Sequence, residues 1–232
     1  MQHIERESLL LKEEVNQMWK LVLSQLEKAK QSFLNHDIEL AREIATRERR
    51  VNAFELKIES DCENYIALYS PVAVDLRLAL SLIKISRTLE RIGDFATGIA
   101  RHVIDDDYSE IDAPILEELQ MERMFDIIIS MLSDCYVALE SENTRISGKI
   151  IAKDVEVDDI YRNSTNILTA CVENNPSMAR CALKTQLLIR KLERIGDHCN
   201  NIVEEIVFYV DAKVLKHGGL TLGNKKNNGV HE

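Results

Sequence analysis

The chain has 232 residues, 45% of them hydrophobic and 29% charged, with a formal net charge of −10. That length and apolar content allow one large core or two modest ones, while eight glycines and three prolines are too few for a fold of many tight β-turns. A broad acidic surface repels phosphate backbones, so nucleic acid is excluded as a partner and metal cations or basic protein surfaces are favoured.

The N-terminal "MQHIERESLLLKEE" lacks the basic-then-apolar order of a secretory leader. No apolar run approaches the roughly 20 residues that span a bilayer, and a cytoplasmic protein is expected. The cysteines at 62, 135, 171, 181 and 199 contain no Cys-x-x-Cys and are expected to be reduced, acting as small apolar residues.

Apolar residues recur at helical spacing nearly throughout. A first helix is predicted over about Ile4–Leu34 and, after the link "NHD", a second over about Ile38–Tyr69. Pro71 in "YSPVAVD" disfavours helix at the residue before it and can open the next one, which runs to about Ile104. The acidic "DDDYSEIDAP" ends in Pro114 and makes the best domain link. The pattern then restarts, with helices over about Ile115–Glu140 and Ile150–Val172 joined by "SENTRISG", a break at Pro176, and a last helix to about Val210. The Gly/Asn/Lys-rich tail over 213–232 lacks periodicity and is expected to be mobile. The fold class is therefore all-α: six long helices in two tandem, internally duplicated three-helix bundles, residues 1–106 and 107–212.

The hexapeptide "LERIGD" stands at 89–94 and again at 192–197. Laying Leu82–Ile104 over Thr185–Val207 also matches Arg87 with Arg190 and Ile99 with Ile202. A period of this length is too long for a solenoid and suits tandem bundles. Leu82, Ile85, Leu89, Ile92, Ala96, Ile99 and Val103 step by three and four and form the buried seam. Glu90 and Asp94 lie four apart, one turn above the other beside that seam, and so do Glu193 and Asp197.

The plain reading of each acidic pair is a solvated flank, with Arg87, Arg91 and Arg190 three residues ahead of a carboxylate as exposed ion pairs of little worth. Gly93 and Gly196 argue against it. Glycine in a helix interior costs about 0.8–1.0 kcal/mol relative to alanine, a cost that makes sense where a helix, ligand or metal approaches the backbone.

Asp154 and Asp158 form a third pair with the same spacing, on the helix that must run antiparallel to the last one. Counted from the turn near Pro176, Asp158 and Glu193 fall at the same level within about one helical turn. Glu48 and Asn52 hold the corresponding places in the first half. Clustered carboxylates repel, so they either hold protons or gather a cation. An oxygen-only set suits Mg, Ca, Mn or Fe, with Zn possible.

The predicted ligands are Asp154, Asp158, Glu193 and Asp197 in the second half. Glu48, Glu90 and Asp94 form a weaker set in the first, where Asn52 brings no charge. His198 lies about 100° round the helix from Asp197 and is read as structural or exposed. Neither Glu90 nor Glu193 has a histidine three residues on, so the di-iron Glu-x-x-His pattern is missing. No phosphate loop, Ser–His–Asp spacing or Cys–His zinc pattern is seen.

"PVAVDLR" (71–77), "LERIGDFATGIA" (89–100), "VEVDDIY" (155–161) and "LERIGDHCNNIVEE" (192–205) resemble the PhoU family of phosphate-transport accessory proteins, over roughly residues 5–210. The resemblance implies two similar three-helix bundles, each binding metal ions, as multinuclear iron or as zinc, at paired Glu/Asp-x-x-x-Asp motifs. It carries the ligand role to Asp154, Asp158, Glu193 and Asp197, and to Glu48, Glu90 and Asp94; the family usually has Asp where this chain has Asn52. It implies a cytoplasmic regulator that damps phosphate-starvation signalling, commonly as a dimer. The implied partners are the ATPase subunit of the membrane-bound phosphate transporter and a phosphate-responsive sensor histidine kinase. Asp75 and Arg77 match the family, and Asp75 is read as capping a helix N-terminus or as part of a partner surface. Two other readings stay open: a carboxylate-bridged metal enzyme, phosphatase or oxidase, and a metal-free helical interaction protein.

Overall fold

Local chemistry sets the helix ends. Asp37 accepts a hydrogen bond from the Leu40 N–H at 2.9 Å, the side-chain cap expected of an N-cap aspartate. It divides α1 (Gln2–Asn35) from α2 (Ile38–Tyr69). Ser70 takes a left-handed conformation, φ 46°, and Pro71 follows, so α2 stops and α3 (Val74–Ile104) begins. The computed structural model describes residues 2–105, 111 and 113–215. Among the described residues there is no strand, and no helix is long and apolar enough to cross a membrane.

The helix predicted over 115–140 is broken. A short α4 (Ala113–Glu118) precedes α5 (Met121–Glu140), with Gln120 at φ 52° between them. Leu119 and Met121 are both buried. Two residues apart on a straight helix they would face nearly opposite sides, and the left-handed Gln120 lets both meet the core. Then come α6 (Ser147–Asn174) and α7 (Ala179–Asp211). Residues 106–110 and 112 of the predicted link, and 216–232 of the predicted tail, lie outside the described residues.

The six long helices form the two expected bundles, α1–α3 and α5–α7. These share one continuous apolar core. Helices α1 and α5 pack antiparallel: Asn16 bonds Glu140 at 2.7 Å, Lys30 bonds Asp126 at 2.6 Å, and the buried Trp19 donates its indole N–H to the Leu132 carbonyl at 3.2 Å. Helices α3 and α7 do the same at the centre. Arg77 donates to the Tyr209 carbonyl and Ser81 to the Glu205 carbonyl, each at 3.1 Å. Further along, Phe95 stacks on His198 with ring centres 5.7 Å apart. Phe95 and His198 are one repeat period apart, so each helix meets its own counterpart, and a local two-fold axis runs between the repeated hexapeptides.

Candidate metal centre

In the second bundle α6 and α7 bring the predicted carboxylates into one neighbourhood. Asp154 Oδ1 lies 2.6 Å from where a Cβ on residue 196 would stand, so Gly196 makes room for this side chain. Asp154 Oδ2 accepts a hydrogen bond from Asn200 at 2.6 Å. Burial first, then the charges of Asp158 and Asp197, push the Asp154 carboxyl up to about 6, although the Asn200 bond works the other way. Asp158 is raised by burial and by Asp197. Glu193 is raised by burial, then by Asp197 and Asp158, against the opposing pull of Arg194 and Arg190. Asp197 itself pairs with Arg194 at 3.2 Å. Among the described residues no three carboxylate, imidazole or thiol groups converge on one ion-sized point; Asp154 and Asp197 keep partners of their own, Asn200 and Arg194.

The first bundle differs. Burial, then Asp94 and Glu55, push Glu90 up to about 7. Glu48 does not join them; it pairs with Arg101 at 3.0 Å. The third carboxylate beside Glu90 and Asp94 is Glu55, which the sequence reading did not select. Its signal was there to find: Glu55 lies three residues after Asn52 and seven after Glu48, on the same face of α2. Asn52 Oδ1 is buried without a hydrogen-bond partner. A Cβ on residue 93 would meet Val51 at 3.2 Å and Gln25 Oε1 at 3.4 Å, so Gly93 admits close helix packing rather than a carboxylate. Gln25 on α1 is fully buried, and neither end of its amide has a partner.

The exposed i,i+3 pairs expected of a solvated flank are only partly present. Arg87, one of the arginines named for them, crosses to Glu59 on α2, while Arg194, not among those named, does reach Asp197. His198 is structural and buried. Burial, with Arg194 and Arg91 close by, lowers it to about 4, so the ring stacked on Phe95 is neutral. Asp75 sits in the first turn of α3, where no side chain caps the helix by a hydrogen bond. Its neighbour Arg77 ties α3 to the last turn of α7. All five cysteines are free, four of them buried, and burial pushes the Cys62 thiol up to about 12. A cavity of about 920 Å³, lined in part by Phe33, Leu116, Met121 and Lys153, contains none of the predicted ligands.

The two halves carrying these sites, residues 15–103 and 121–206, each match the family model of the PhoU domain. The chain belongs to the PhoU family. It is 30% identical over 214 residues to the phosphate-specific transport system accessory protein PhoU homolog 1 of Thermotoga maritima, covering 92% of this chain and 91% of that one. It is 31% identical over 209 residues to the phosphate-specific transport system accessory protein PhoU of Escherichia coli K12, covering 90% and 86%. Its fold is similar to the crystal structure of PhoU from Pseudomonas aeruginosa, with a TM-score of 0.83 at 25% identity over 90% of this chain and 99% of that one. The phosphate transport system regulatory protein PhoU from Streptococcus pneumoniae gives a TM-score of 0.80 at 25% identity over 92% and 99%. The repeat read from "LERIGD" is thus the family's own duplication, with one PhoU domain per bundle.

Proposed function

We propose that this chain is a metal-binding regulatory adaptor of phosphate uptake, which lowers transport and the phosphate-starvation response when phosphate is plentiful. One observation carries the metal part of this reading: in a PhoU-family chain, neighbouring carboxylates stand across each helix pair and, with burial, raise Glu90 in the first bundle and Asp154, Asp158 and Glu193 in the second. A cation relieves that repulsion at neutral pH. The orphaned Asn52 Oδ1 and the all-oxygen donor sets fit a hard or borderline ion. Asp154, Asp158, Glu193 and Asp197 would hold it in the second bundle; Glu90 and Asp94, with Asn52 and Glu55, would hold it in the first, where Glu48 pairs with Arg101 instead. Iron or zinc is the foremost candidate, then Mg, Mn or Ca. Once bound, such an ion supplies positive charge that ties α6 to α7 and α2 to α3.

The adaptor role rests on the family and on relatives named as accessory proteins of phosphate transport. In this reading the protein is cytoplasmic, forms a homodimer, does no catalysis, and meets the membrane only through partners. Those partners are the ATPase subunit of the phosphate transporter and a phosphate-responsive sensor histidine kinase. Deleting the gene is expected to leave a phosphate-starvation reporter switched on in phosphate-rich medium. A reporter that stays off refutes the regulatory reading. Turnover of a phosphoester or of oxygen by the metal-loaded protein would replace it with an enzyme.

A further inference from the structure

Where α1 begins and α2 hands over to α3, five large aliphatic side chains stay exposed in the folded chain: Leu9 (65%), Leu10 (50%), Leu68 (75%), Val72 (73%) and Val74 (45%). Large apolar side chains left exposed at one end of a bundle mark a contact surface. A cavity of about 220 Å³ opens between Leu10 and Leu68, and Glu7, Glu14, Asp61 and Tyr65 also line it. Lys57 answers part of its charge, bonding Glu14 Oε1 and, at 2.7 Å, Asp61. That leaves three carboxylates against one ammonium.

Two buried atoms at this cavity have no partner, Glu14 Oε2 and Tyr65 Oη, and Tyr65 is only 3% exposed. Buried polar atoms are nearly always hydrogen-bonded, and leaving one unmade costs free energy. A carboxylate oxygen can only accept, and a phenol oxygen can accept, so an N–H-bearing cation entering this cavity is the complement to both acceptors. A bare amine would leave the aliphatic rim uncovered.

We infer that this end of the first bundle docks a segment of a partner protein that presents a lysine or arginine between apolar residues. The cation enters towards Glu14 and Tyr65, and the apolar flanks cover Leu10, Leu68 and Val72. A second copy of the chain is the wrong complement, because a symmetric contact would set these carboxylates against themselves. Asp75 at this end is about 22 Å along α3 from Glu90 at ~1.5 Å per residue. The surface therefore needs no metal, and it supplies the partner contact that an adaptor requires.

The test uses the full-length, chelator-treated chain and a panel of labelled helical peptides, each with leucines at i, i+3, i+4 and i+7 around one central arginine. Saturable binding is expected, weakening as salt rises. It should fall about tenfold or more when the peptide's arginine becomes glutamine, or when the chain carries Glu14→Gln or Leu68→Ser. Tyr65→Phe should weaken it by a smaller factor, and Glu156→Gln in the other bundle should leave it unchanged. Leu68 is exposed, so its replacement does not threaten the fold. No saturable binding anywhere in the panel, or binding indifferent to Arg→Gln and Glu14→Gln, overturns the proposal. A photo-crosslinker at position 68 that joins only the chain's own Lys-rich residues 213–232, or only a second copy, also overturns it. Because the peptides are read on metal-free protein, this result is independent of whether the carboxylates bind an ion.

Discussion

Asp154→Asn separates the cost of the acidic cluster from its use. The Asp154 carboxyl is raised from an ordinary 3.8 to about 6 by burial and by Asp158 and Asp197. Below pH 3.8 the group is protonated in both folded and unfolded chains and contributes no difference. Between 3.8 and about 6 the folded chain keeps a proton that the unfolded chain has released. Above that, the folded chain carries a charge it disfavours, so stability is lost as pH rises through this window. For a fully desolvated carboxylate the rise converts to about 3 kcal/mol. Asp154 is partly exposed, and solvent screening reduces this to about 1 kcal/mol.

Asparagine keeps an oxygen to accept the Asn200 bond and drops the charge. In metal-free protein, urea unfolding at pH 7.5 should therefore show Asp154→Asn more stable than wild type by about 1 kcal/mol, a midpoint shift of roughly 0.5 M. At pH 3.5 the gain should vanish. With metal restored the order should reverse, because the variant gives up part of the stabilisation that ligand binding confers. A metal-free variant less stable than wild type at pH 7.5, or one whose gain persists at pH 3.5, refutes the electrostatic argument.

Gly148 has nothing within 4 Å of a would-be Cβ, so Gly148→Ala should stabilise by up to about 1 kcal/mol from helix propensity alone. Gly196→Ala should gain little or nothing in a thermal melt, because its methyl must displace Asp154, and it should weaken metal uptake. Glu90, raised to about 7, should make the metal-free chain lose stability as pH rises from about 4.5 to 7; Glu90→Gln should flatten that slope in denaturant titrations. Trp19→Ala empties a fully buried site where α1 meets α5 and should cost about 3–5 kcal/mol. Its circular-dichroism melt should stay a single transition at lower temperature, because the bundles share one core; two transitions with only one shifted would contradict this.

The helices were legible because their punctuation is chemical: the polar link "NHD", Pro71 and Pro176 as breaks, and an apolar stripe between them. The second carboxylate cluster was legible because antiparallel helices joined by a short turn leave little freedom in level. The first was only half legible. Glu48 and Glu55 lie seven apart, about 10 Å, on one face of α2, and counting from the turn does not fix which of them stands level with Glu90. The fusion of the bundles was hidden because α3 packs on α7 through small or weakly polar residues such as Ser81, which bonds the Glu205 carbonyl, and Gly98, where a Cβ would meet Lys191. These do not extend an apolar stripe. The break at Gln120 was hidden because nothing local to a glutamine asks for a left-handed backbone.

The most direct measurement is the metal content of protein purified under metal-replete conditions, compared with its Glu193→Ala, Asp197→Ala double variant. More than one tightly held divalent or trivalent ion per chain is expected in the wild type, most of it lost in the variant while the helical content is kept. Metal at background level in the wild type, or an equal content in both proteins, would contradict the account.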